Sequence, residues 1–133
     1  PEEFEIMKTH TTIGADMLLE LGSHHVGNAL MEYAYQIARW HHERWDGKGY
    51  PDGLKGDEIP IAAQVVSVAD VYDALTSVRV YKDAIPHKEA IQMILDGKCG
   101  TFNPLLLDCL LEVQDQIAET LARPADVIAF PTI

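Results

Sequence analysis

The chain of 133 residues is of single-domain size, and with 47% hydrophobic and 23% charged residues it has the composition of a globular protein with a real core. Ten Lys and Arg against 21 Asp and Glu give a formal charge of −11, which excludes a general surface for DNA or RNA, so any phosphate-bearing ligand needs a local positive site. Cys99 and Cys109 form neither a C-x-x-C motif nor a disulfide framework, and no apolar run reaches the roughly 18 residues of a bilayer span. The expectation is a cytoplasmic protein.

In chain order, Ile6, His10, Ile13, Met17 and Leu21 recur at helical spacing and predict a first helix with one apolar face interrupted by His10. Gly22-Ser23 ends it. Asn28 is a suitable N-cap for a second helix running to His42, with Leu30, Ala34, Ile37 and His41 expected to face inward. His42 follows about 100° further around the rod. From Glu43 to Pro60 the periodicity stops, and four glycines and two prolines make a long loop of the kind that more often serves function than mere connection. Pro60 then opens a third helix to about Ser77, with Ala63, Val66, Asp70 and Asp73 on one face expected to be interior. A fourth helix fits Pro86 to Leu95 with Gly97 beyond its end. A fifth fits Asn103 as cap and Pro104 at its first position, with Leu107, Leu110, Leu111, Gln114 and Ile117 inward. After Arg123 the chain reads as irregular, and no strand pattern is present. The predicted fold is all-α, a helical bundle of about five helices.

Three of four chemically able side chains, His10, His41 and Asp70, fall on helix faces that read as interior, and His42 flanks one of them. Each alone has an ordinary reading: a hydrogen-bonded core histidine, a histidine favoured at a helix C-terminus, a solvated carboxylate at a helix edge. Burying several together requires that they neutralise one another or bind a cation. Imidazole nitrogen and carboxylate oxygen suit Fe, Mn, Zn or Ni. His24, His25 and His87 read as surface residues in turns or helix starts.

The run His41-His42-Glu43-Arg44-Trp45-Asp46-Gly47-Lys48-Gly49-Tyr50-Pro51 and the later Val68-Ala69-Asp70-Val71-Tyr72-Asp73-Ala74-Leu75 strongly resemble the HD-GYP family, a branch of the HD-domain metal-dependent phosphohydrolases. The resemblance spans Pro1 to about Val113. It implies an all-α domain with a centre of two or three divalent transition metals, Fe or Mn, that hydrolyses cyclic di-GMP in bacterial signalling. Carried over by position, His10, His41, His42 and Asp70 are the metal ligands, and Asp73 is the catalytic-site residue that orients rather than ligates. Arg79 and Lys82 bind substrate phosphate, although a solvated basic pair is the plain alternative. Gly49, Tyr50 and Pro51 border the site and dock a diguanylate-cyclase partner.

The family's H-D-x-G-K stretch is absent, since no His-Asp dipeptide occurs. The expectation is a partial HD-GYP domain over residues 1–121 with an irregular tail over 122–133, incomplete at its N-terminus, and weakly active or inactive alone. A homodimer, formed through exchanged helices, is the expected cover for the apolar faces so left. The competing expectation is a non-catalytic signalling module that binds cyclic di-GMP or a cyclase through the Gly49-Tyr50-Pro51 loop. A third, a hydrolase of another phosphoester, is not excluded by the residues.

Overall fold

The computed structural model describes residues 1–22, 28–78 and 83–122, and among them there is no strand, only an isolated bridge between Lys98 and Gly100. Six α-helices carry the fold: α1 (Glu2–Lys8), α2 (His10–Gly22), α3 (Ala29–Trp40), α4 (Ile61–Thr76), α5 (His87–Leu95) and α6 (Pro104–Ala122), with a short 3₁₀ turn over Gly56–Glu58. None is long and apolar enough to cross a membrane. Arg79, Lys82, His24, His25 and the tail from residue 123 lie outside the described residues.

The single first helix expected from the periodicity is two. Side chains of four consecutive residues, Thr9, His10, Thr11 and Thr12, bond the carbonyls of Ile6, Met7, Lys8 and Thr9, each three residues back, at 2.6–3.0 Å. Such bonds compete with the helical ladder and interrupt it at Thr9. The inward face also differs from expectation. Thr11 and Ala15 are buried, whereas Ile6, Ile13, Met17 and Leu21 are 55–70% exposed. The reason is close packing of α2 on α3 through small residues: a Cβ on Gly14 would lie 3.8 Å from the Ala38 Cβ. The helices meet along the small-residue stripe, which turns the large apolar residues outward. Leu30, expected inside on α3, is likewise exposed.

The main core lies instead among α4, α5, α6 and the turn before α6. Val68, Tyr72, Ala90, Ile91, Ile94, Phe102 and Leu110 form it, with Leu75, Leu107 and Ile117 packed at its margin. On α4 the buried stripe is Ala63, Gln64, Ser67, Val68 and Tyr72. The expected stripe shares only Ala63 with it; Val66 is half-buried, and Asp70 and Asp73 are exposed. Two carboxylates could not take that face without partners, and Val68 and Tyr72 supply more apolar area for the same rotation. His87 is no bystander at the surface: its Nδ1 and the Tyr72 hydroxyl are hydrogen-bonded at 2.7 Å, tying α5 to α4, and its Nε2 is buried.

The remaining helix ends follow their local chemistry. Asn28 accepts the Leu30 N–H at 3.0 Å and Asn103 accepts the Leu105 N–H at 3.0 Å, while Gly97 takes a φ of 70° just past α5.

Candidate metal centre

The end of α3 and the start of α2 meet at three imidazoles. His10, His41 and His42 each offer a ring nitrogen, all three within 4.8 Å of one another, with His10 exposed and the other two half-buried. His10 Nδ1 donates to the Met7 carbonyl at 2.6 Å, and His41 Nδ1 donates to the Ile37 carbonyl at 2.7 Å. A carbonyl oxygen only accepts, so each ring carries its hydrogen on Nδ1. In the neutral rings both Nε2 atoms then present lone pairs, and these face each other across 3.4 Å. Two acceptors at that distance repel unless a proton or a metal ion binds them. Backbone carbonyls fixing the tautomer from the far side of the ring are also the usual support of metal-bound histidine.

His42 completes the set. Its pKa is lowered to about 4, first by burial and then by its neighbours His41, His10 and Arg44, so at neutral pH the ring is uncharged and has a lone pair to give. Tyr50 stacks on it with ring centroids 4.8 Å apart and planes 20° from parallel. Three imidazoles that each offer a ring nitrogen within 4.8 Å of the others are a donor set suited to one divalent transition metal.

Asp70 stands apart from this group. It is exposed on α4, and its charge is close enough to offset part of the downward shift of His42, but its carboxylate is not among the clustered donor atoms. Asp73, one turn on, accepts from the Ser77 hydroxyl at 3.0 Å.

The loop after His42 is folded tightly onto the end of α3, and the residue that does this is one the sequence reading passed over. Glu43 is 2% exposed, and its carboxylate accepts the N–H groups of Asp52 at 2.7 Å, Gly53 at 3.0 Å and Leu54 at 3.0 Å. Burial pushes its pKa up, and the three N–H groups pull it back. Asp52 is in turn gripped by Arg39 through Nε at 2.8 Å and Nη2 at 3.1 Å, and by the Trp40 indole at 2.7 Å. These bonds hold its carboxyl below the usual range, Arg39 being the larger cause.

Arg44 fastens the other side. Its Nη1 donates to Ser67 Oγ on α4 at 2.7 Å and to the Glu43 carbonyl at 3.0 Å, with the guanidinium 5.4 Å over the Phe102 ring. The Tyr50 N–H donates back to the His42 carbonyl at 3.2 Å, which sets Tyr50 against His42. Glu43 and Arg44 stand in the run that carries the family resemblance, but nothing in the sequence says what either one bonds. A carboxylate satisfied entirely by main-chain N–H groups leaves no pattern of partner residues to read.

Known proteins resemble this chain over most of its length. A profile of the HD-domain family matches residues 1–104. The chain is 44% identical over 128 residues to a cyclic di-GMP phosphodiesterase of Thermotoga maritima, covering 95% of this chain and 33% of that protein. It is 42% identical over 128 residues to a probable cyclic di-GMP phosphodiesterase of Vibrio cholerae, covering 95% and 29%. A 3′3′-cGAMP-specific phosphodiesterase of the same organism is 38% identical over 125 residues, covering 94% and 23%. The chain thus spans a third or less of the length of these relatives. With its all-α architecture, its histidine cluster and this match over most of its length, the chain belongs to the HD-domain family, in its HD-GYP-like branch.

Proposed function

We propose that the chain provides metal-binding and substrate-binding residues for hydrolysis of a cyclic dinucleotide, cyclic di-GMP first among them. The observation that carries this reading is the pair of Nε2 lone pairs of His10 and His41, aimed at each other with both Nδ1 atoms committed to carbonyls. His10, His41 and His42 would hold the ion, Fe or Mn in this reading, and Asp70 would join them as the oxygen ligand from α4. Two or three ions are proposed for the complete centre.

Bound there, a divalent ion supplies a Lewis acid that lowers the pKa of water and neutralises phosphate charge. The chain's own residues supply the rest. The carbonyls of Met7 and Ile37 hold two imidazoles in the ligating tautomer, Tyr50 covers His42 and limits water on that side, and Asp73 is proposed as an orienting residue rather than a ligand. Arg79 and Lys82 are proposed to meet the phosphate, which an overall charge of −11 would otherwise repel. Relatives active on cyclic di-GMP and on 3′3′-cGAMP are similarly close in identity, so the choice of base is a separate question, taken up below.

The test is chromatography of products after incubating the chain, loaded with Mn or Fe, with cyclic di-GMP. Slow cleavage to the linear dinucleotide that stops on chelation is the expected outcome. Metal-independent binding with no cleavage would favour the non-catalytic signalling module instead.

A further inference from the structure

Beside the imidazole cluster lies a cleft of about 220 Å³, bounded by Glu5, Lys8, Thr9 and Thr12 on the α1–α2 side and by Tyr50 and Pro51 on the loop. Tyr50 belongs to both places, since the ring that lines this cleft also stacks on His42. The volume is below the roughly 300–1,000 Å³ of pockets for whole drug-sized ligands and suits one planar ring system. Phe4, 52% exposed, meets Tyr50 edge to face with centroids 6.4 Å apart, which extends the aromatic surface. The Lys8 ammonium sits 5.4 Å from the Phe4 ring centroid and 5.8 Å from that of Tyr50. It also bridges to Glu5 Oε1 at 2.7 Å, so a carboxylate and an ammonium stand side by side at the aromatic wall.

We propose that this cleft seats one base of the cyclic dinucleotide and that Glu5 makes it prefer guanine, an inference that rests on the phosphodiesterase reading above. A guanine ring edge presents the O6 acceptor followed by the N1–H and N2–H donors. The Lys8–Glu5 pair presents a donor followed by a carboxylate able to accept two hydrogen bonds, the complementary order. Adenine offers only its N6–H donor beside a bare N1 acceptor, so the same carboxylate gains one bond rather than two. Aromatic stacking is tolerant of base identity and would hold either purine, leaving the discrimination to Glu5. Tyr50 joins the two places, since it lines the cleft and stacks on His42, so a base seated here stands next to the side of the molecule where the imidazoles gather.

Glu5 is 70% exposed in its side chain, so its replacement leaves the fold in place. The experiment is calorimetric titration of the Mn-loaded chain, wild type and Glu5→Gln, with cyclic di-GMP and cyclic di-AMP, with bound Mn measured in each sample. Wild type should bind cyclic di-GMP more tightly than cyclic di-AMP. Glu5→Gln should lose about 10- to 100-fold in affinity for cyclic di-GMP and less than about threefold for cyclic di-AMP, with bound Mn unchanged. Equal losses for the two nucleotides, or no loss, would overturn the base subsite while leaving the phosphodiesterase reading intact. A wild-type chain that holds Mn yet binds neither nucleotide would overturn both.

Discussion

Replacing Glu43 with Ala should destabilise the domain by about 3–5 kcal/mol, because it removes the charged acceptor of three main-chain N–H groups at once and a hydrogen bond to a charged group is worth about 1.5–3 kcal/mol. Water can reach part of the loop once the side chain is gone, which keeps the expected loss at the lower end of the simple sum. Glu43→Gln retains one acceptor oxygen but turns an NH₂ toward donors, so its loss should be smaller than that of Ala and still measurable. Urea denaturation gives the stability change directly. The consequence should extend beyond stability. With residues 52–54 released, Asp52 no longer has a fixed position for Arg39 and Trp40, and Tyr50 loses the loop that holds it against His42. An unchanged denaturation midpoint in Glu43→Ala would mean that solvent, not this carboxylate, satisfies the loop.

Gly49→Ala should be nearly as damaging, for a different reason. A Cβ at residue 49 would lie 2.5 Å from the Arg44 nitrogen, the Glu43 Cα and the His42 carbonyl oxygen. All three are backbone atoms, so no rotamer change relieves the overlap, and the turn itself has to open. Opening it breaks the hydrogen bond from the Tyr50 N–H to the His42 carbonyl. A loss of about 2–4 kcal/mol is expected, in the range of severe overpacking, with weakened stacking of Tyr50 on His42. The stability change is read by urea denaturation. A fully stable Gly49→Ala would show that the loop does not close onto residues 42–44 in solution. Gly47 differs from Gly49 in what it needs: its φ is +80°, so it is glycine for backbone shape, whereas Gly49 is glycine for space.

That distinction shows where the sequence could be read and where it could not. Helix boundaries at Asn28, Pro60, Gly97 and Asn103 were legible because each depends on a cap or a ring within a few residues. The break at Thr9 was not, because it arises when four adjacent side chains outcompete the ladder, and each of those residues is tolerated singly in a helix. Helix faces were the least legible. On α2 the large apolar residues suggested one stripe, but the helices approach through Thr11, Gly14 and Ala15, and close approach of small residues selects the other. On α4 the carboxylates at 70 and 73 share a face with Ala63, which gave a plausible stripe that Val68 and Tyr72 displaced.

The site divides along the same line. Helix-face position and the family resemblance together single out His10, His41 and His42, and the fold gathers all three, so the metal-binding potential survives even though the face bearing His10 is largely exposed rather than interior. Glu43 and Arg44 stand in the motif run, but their roles were not legible because their partners are main-chain groups and a serine one helix away. Asp70, Arg79 and Lys82 rest on the family resemblance and remain part of the proposal.

The most direct measurement is elemental analysis of metal in the purified chain after loading with Mn or Fe and removal of free ion, with His41→Ala alongside. At least one ion per chain in the wild type, with occupancy falling at least tenfold in the variant, is the expected result. Equal metal content in the two proteins would contradict the assignment of these imidazoles as ligands, and with it the reading of the facing Nε2 atoms on which the functional proposal stands.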